Sequence, residues 1–130
     1  MEPRLTIEEA KKFCDEWLPA WSGNRPEALL AFYADDAVYR DPSRPRGLRG
    51  WSALEPYFRK LLEANPAWVW RSVKIMPTTG GFTLKWEARI PTPAGEVVEQ
   101  GLDIVEIANG RITRNEVYFD RSALLAALAK

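Results

Sequence analysis

The sequence predicts an α+β fold in which a curled antiparallel sheet wraps around N-terminal helices and leaves an apolar pocket between them. Three observations carry this expectation. Helical periodicity fills the stretch before Pro66 and returns only in a short tail. Strand alternation with tight-turn signals fills the chain from Trp68 onward. Long strands interrupted by Gly and Pro curl instead of lying flat, which makes a cone with helices on its concave side.

Each element follows in order. Thr6 with Glu9 forms a capping-box pattern, and Ile7, Ala10, Phe13, Cys14, Trp17, Leu18 and Trp21 recur behind it at helical spacing. Ser22-Gly23-Asn24 interrupts the pattern. Asn24 and Glu27 offer a second capping box, with Pro26 tolerated in the first turn, opening a short helix that carries Leu29, Leu30, Phe32 and Tyr33. Ala37 to Pro42 reads as a short strand around Val38 and Tyr39, which Pro42 ends or edges. Ser43 to Gly50, rich in Arg, Pro and Gly, reads as a loop. A third helix begins near Ser52 with Glu55 as its capping partner and buries Leu54, Phe58, Leu61 and Leu62.

Trp68 to Ile75 is the first strand of the second half, and Thr79-Gly80-Gly81 turns the chain. Phe82, Leu84, Trp86, Ala88 and Ile90 then alternate with a more polar set up to the break at Pro91 to Gly95. Glu96 to Ile107 is a long strand with Gly101 as a bend or bulge. Asn109-Gly110 signals a hairpin into a last strand, Arg111 to Phe119. Asp120 caps a tail helix from Ser122 to Ala129.

Composition narrows the function classes. The 130 residues suit one domain, 1–130, with one core. There is no histidine and only one cysteine. That removes Ser-His-Asp and Cys-His chemistry, imidazole metal ligands, an internal disulfide and a structural zinc site. The expectation is a protein that uses no metal and no cofactor. Eighteen Lys and Arg balance eighteen Asp and Glu, so no bulk charge draws the chain to nucleic acid or to an anionic membrane. No apolar run reaches membrane-spanning length, and Met1–Lys12 lacks a signal-peptide core, which together suggest a cytoplasmic protein. Leu102 and Ile104 oppose Asp103 in phase and leave apolar residues on the outer sheet face, so a homodimer through that face is expected.

Asp103 is the residue that points most directly to chemistry. Strand alternation places it on one face with Val105 and Ile107. A carboxylate there is costly unless paired or protonated, and a neutral Asp can donate a hydrogen bond to an enolate or oxyanion. It is equally consistent with an Asp bonded to Arg or backbone, or with a solvated face. Asp41, at a strand end before Pro42, is a candidate proton shuttle or an ordinary turn Asp. Six Trp are many for this length, and flat rings suit the lining of an apolar cavity as well as a core. Trp17, Trp86 and Phe119 are candidates to hold the rings of a small hydrophobic ligand. Tyr39, Tyr57 and Tyr118 are candidate hydroxyl donors, and Asn115 is a candidate polar group on the face of Val117 and Phe119. Arg40, Arg44, Arg46 and Arg49 cluster around Asp41, either at a cavity mouth or on a solvated loop.

Taken together, three segments resemble the nuclear transport factor 2-like superfamily, in its SnoaL-like and ketosteroid isomerase-like branch. They are Phe32-Tyr33-Ala34-Asp35-Asp36-Ala37 running into Asp41-Pro42; Gly47-Leu48-Arg49-Gly50 leading into the helix with Tyr57 and Phe58; and Asp103 to Ile107 followed by Asn109-Gly110-Arg111-Ile112 and Val117-Tyr118-Phe119. The resemblance implies a cone-shaped, cystatin-like roll. It implies Asp41 as general base, Asp103 as a protonated oxyanion donor and Phe119 as a pocket aromatic. The tyrosine that the isomerases carry on the first helix is matched here by Glu16, beside Trp17. The activity implied is that of an isomerase or cyclase acting on a small hydrophobic carbonyl compound. The alternatives are a non-catalytic small-molecule-binding protein of the same fold and a scaffold domain.

Overall fold

The computed structural model describes residues 5–129, so the two ends of the 1–130 span and the start of the Met1–Lys12 stretch lie outside the described residues. Helix α1 (Ile7–Trp17) begins with the expected capping box. Thr6 Oγ1 accepts from the Glu9 N–H at 3.0 Å, and Glu9 Oε1 accepts from the Thr6 N–H at 2.9 Å. A 3-10 turn (Leu18–Trp21) follows, then helix α2 (Pro26–Leu30). Strand β1 (Tyr33–Asp41), strand β2 (Arg44–Arg49) and helix α3 (Trp51–Ala64) complete the first half. Strands β3 (Val69–Thr78), β4 (Gly81–Thr92), β5 (Gly95–Ala108) and β6 (Arg111–Tyr118) lead to helix α4 (Ser122–Leu128).

The sheet order is β2-β1-β6-β5-β4-β3. All pairings are antiparallel except β1 with β6, which is parallel. The sheet is curled and unclosed, and the helices fill its concave side. Trp17, Tyr33, Phe58, Phe82, Leu84 and Trp86 are among the large side chains of the core between them. Among the described residues no helix is long and apolar enough to cross a membrane.

Several local expectations are corrected. Ser43 to Gly50 is not a loop: most of it is strand β2. It has no alternating apolar pattern because it is an edge strand paired only with β1, the kind of strand in which a Pro such as Pro45 is tolerated. Strand β1 starts at Tyr33, which had been expected in a helix, because the preceding helix is only five residues long and β6 recruits the chain directly after it. Neither the Asn24–Glu27 nor the Ser52–Glu55 box forms. The residues at the cap positions are Arg25 and Gly50, and Asn24 instead takes a left-handed turn conformation (φ +53°). Asp120 is not the cap residue of the tail helix either: Arg121 holds that position, and Asp120, one residue earlier, accepts from the Ser122 N–H at 2.9 Å.

Gly101 is not a bulge. It lies in unbroken register opposite Trp86, and the nearest irregularity in its strand is at Glu106/Ile107. A Cβ at position 101 would sit 2.3 Å from Trp86 Cζ2 and 2.8 Å from Phe119 Cβ. Glycine is required there so that the indole can lie across the strand. The Asn109-Gly110 hairpin is as expected, with both residues at positive φ, +55° and +77°. Leu102 and Ile104 do face outward, 43% and 41% exposed, beside a lattice of ion pairs that includes Arg71–Glu87 and Arg114–Glu106.

Candidate functional site

A cavity of about 230 Å³ lies between the helices and the concave face of the sheet. The 3-10 turn supplies Leu18 and Trp21, α3 supplies Tyr57 and Leu61, and strands β3 and β4 supply Trp70 and Trp86. Leu124, Leu125 and Leu128 of α4 cover one side. The aromatic wall is continuous: Trp70 and Trp86 meet edge to face with centroids 4.9 Å apart, and Trp86 meets Phe119 at 5.4 Å. Asp41 and Asp103 are the two carboxylates that line this apolar space.

Asp41 ends β1 and is held chiefly by its own turn. Its Oδ1 accepts from the Ser43 N–H (2.9 Å), the Ser43 hydroxyl (2.8 Å) and the Arg44 N–H (3.0 Å). This is the local side-chain-to-backbone geometry that favours Asp at a turn. Its Oδ2 accepts from the Tyr39 hydroxyl at 2.8 Å and the Tyr57 hydroxyl at 2.5 Å. Tyr57 and Ser43 oxygens are themselves 2.7 Å apart. Two hydroxyl protons therefore serve three close contacts, and Tyr57 can leave Asp41 while Ser43 still holds it. Burial, with the Asp41 carboxylate beside it, pushes the Tyr57 hydroxyl well above the ordinary phenol range, so it stays protonated and remains a donor.

Asp103 sits in the middle of β5 and is 5% exposed. Its Oδ1 accepts from Trp86 Nε1 at 2.7 Å and its Oδ2 from Asn115 Nδ2 at 3.0 Å. Behind it, the Tyr33 hydroxyl donates to Asn115 Oδ1 at 2.7 Å. Burial raises the Asp103 carboxyl to about 7; the Asn115 and Trp86 donors work against that rise and the Asp41 charge adds to it. The group is thus divided between acid and carboxylate near neutral pH. Among the described residues no three acidic or thiol side chains gather as a metal site would need.

Of the residues singled out from sequence, Asp41, Asp103, Tyr39, Tyr57, Trp86 and Phe119 all border the cavity. Trp17 and Asn115 do not line it, which corrects their expected place. Trp17 is fully buried behind the wall because α1 turns its apolar stripe into the core, and the following 3-10 turn brings Trp21 to the cavity instead. Asn115 is fully buried one layer behind Asp103. Tyr118 is excluded as a donor: it is 46% exposed and bonds Glu116 on the outer face. Glu16 is exposed on α1. Of the arginine cluster only Arg44 approaches the site, its guanidinium 4.8 Å from the Tyr57 ring centroid. Sequence reasoning missed Tyr33 and Ser43. The Ser43 signal was present in Asp-Pro-Ser, where an Asx turn places a hydroxyl beside the carboxylate. No local signal marks Tyr33, since its partner is far away in the chain.

Comparison with known proteins places these features in context. Residues 14–115 match the SnoaL-like domain family. A steroid Δ-isomerase of Nocardioides simplex is 28% identical over 114 residues, covering 85% of this chain and 89% of that protein. Among solved structures, a hypothetical protein from Catenulispora acidiphila with a ketosteroid isomerase-like fold, bound to trimethylamine, superposes with a TM-score of 0.78 at 18% identity, over 91% of this chain and 92% of that one. A putative hydroxylase from Streptomyces galilaeus gives 0.77 at 14% identity, over 95% and 98% of the two chains.

Proposed function

The chain belongs to the SnoaL-like domain family, and from that premise we propose that it is an isomerase or cyclase that moves a proton on a small hydrophobic carbonyl compound. The observation that carries this reading is one apolar cavity bordered by two differently held carboxyl groups: Asp41 with five donor contacts, and Asp103 with two donors deep in the sheet, where burial pushes it up to about 7. Asp41 takes the proton alpha to the carbonyl: the C–H bond breaks and its electron pair moves to the carbonyl oxygen as an enolate. Protonated Asp103 donates to that oxygen, and Tyr57 swings from Asp41 to add a second donor, which also frees a lone pair on the base. Asp41 returns the proton to another carbon, or the enolate carbon bonds to a second carbonyl carbon, whose π electrons move to its oxygen, and that oxygen takes the proton from Asp41. Trp86 and Phe119 hold the apolar body of the substrate. The steroid isomerase relative is consistent with this chemistry.

The test is proton exchange. Enolisable ketones incubated with the protein in D2O lose their α-proton signal, and Asp41→Asn slows that loss by about 10²- to 10⁴-fold. Unchanged exchange in the variant removes Asp41 from the mechanism. A second reading, a binding protein without turnover, is favoured by the five donors already on Asp41, which occupy the lone pairs a base would need. It requires ligand binding with no exchange on any ketone of the panel. The exposed Leu102 and Ile104 support a homodimer through the outer face as part of the same proposal, read as molecular mass in sedimentation, which Leu102→Lys shifts to the monomer.

A further inference from the structure

We propose that Tyr33 is a positioning residue that sets the protonation of Asp103 by fixing the orientation of the Asn115 amide. The catalytic consequence rests on the function proposed above; the relay itself does not. Tyr33 and Asn115 are both fully buried, so neither can trade its partner for water. A carboxamide has one acceptor end and one donor end. The Tyr33 hydroxyl donates to Oδ1 at 2.7 Å, which turns Nδ2 toward Asp103 Oδ2 at 3.0 Å. The other oxygen of Asp103 faces Trp86 Nε1, a group that can only donate. Both carboxyl oxygens therefore meet donors, and both contacts favour the ionised form.

Without the Tyr33 hydroxyl, the amide is free to flip. A flipped amide presents Oδ1 to Asp103, and only a protonated carboxyl can donate to it. The balance then moves toward the neutral acid. Few other groups compete for control. Asp41 on β1 adds its charge across the cavity, and Cys14 on α1 and Tyr33 itself are pushed up by burial and stay neutral. Tyr57 on α3 is likewise neutral, and Arg121, before α4, borders the same cavity. The Trp17 indole N–H is turned toward the Tyr33 hydroxyl but falls short of hydrogen-bond geometry, so the hydroxyl proton has Asn115 as its partner.

The experiment reads Asp103 directly and needs no substrate. The Trp86 indole N–H resonance, assigned by its loss in Trp86→Phe, is followed by NMR in the full chain from acid to alkaline pH. Wild type shows a titration that Asp103→Asn abolishes. Tyr33→Phe moves its midpoint upward by about one pH unit, and adds nothing further in an Asn115→Val background. An unmoved midpoint in a folded Tyr33→Phe protein overturns the proposal. If Tyr33→Phe does not fold, Asn115→Val alone decides the matter: it raises the midpoint if the amide donates to Asp103, and an unchanged midpoint overturns the relay. Because turnover is not read, absence of catalysis leaves this result standing. A raised midpoint that leaves the pH profile of turnover in place supports the relay while removing Asp103 from the chemistry.

Discussion

The two carboxylates border the same hollow, yet opposite kinds of structure hold them. Asp41 is served by its own neighbourhood: Tyr39, Ser43 and Arg44 lie within three residues of it, and only Tyr57 comes from another element. A turn that closes on itself delivers these donors wherever the hairpin forms. Asp103 depends on partners 17 and 12 residues away, on β4 and β6, and has two donors where Asp41 has five. Its environment is set by strand register and by the helices that exclude water. A carboxylate rich in local donors is solvated by the protein, whereas one with few donors deep in a sheet has its proton affinity raised by burial. One fold thereby obtains two acids of different character from the same side chain.

That contrast can be broken most forcefully at Tyr57. Tyr57→Phe removes a donor from Asp41 and the proposed oxyanion donor together, and lowers kcat by about 10²- to 10³-fold. Tyr39→Phe removes only a donor to Asp41 and costs far less. Equal losses in steady-state kinetics would mean that the two hydroxyls do the same work.

The next effect is the pH dependence of stability. The Asp103 carboxyl titrates at about 7 in the folded protein against an ordinary value of 3.8. Between these values the folded chain holds a proton that the unfolded chain has lost, so this group's contribution to stability falls as the pH rises through the window and is flat above it. Urea unfolding of wild type and Asp103→Asn at about pH 5 and about pH 8 isolates the term, worth on the order of a few kcal/mol. The variant gains relative to wild type at the higher pH. The same difference between variant and wild type at both pH values would mean that Asp103 is ionised across the whole window.

Gly101→Ala tests the frame around Asp103. The new methyl group meets the Trp86 ring, which donates to Asp103, and displaces it. The expected loss is about 1–3 kcal/mol in urea unfolding, with a changed near-UV spectrum; a neutral result would show that the ring has room to move. The smallest effect belongs to Ser43→Ala, at about 1 kcal/mol in the same assay, because the Ser43 and Arg44 backbone N–H groups still hold Asp41. A larger loss would make the local shell less redundant than its geometry indicates.

The sequence by itself determined whatever short-range physics sets. The apolar stripe of α1 and its capping box, the Asn109-Gly110 hairpin, and the alternation that turns Asp103 inward and Leu102 and Ile104 outward all follow from a period or a turn within a few residues. The tertiary structure alone decided which of these parts meet. Strand β2 carries no pattern because an edge strand has little to bury, and β1 begins at Tyr33 because its parallel partner β6 is remote in the chain. The same pairing sets Tyr33 beside Asn115, and the handover from α1 to the 3-10 turn exchanges Trp17 for Trp21 at the cavity. Periodicity reports which face of an element is buried; strand order and helix packing choose what it is buried against, and that choice brings the two aspartates to one cavity.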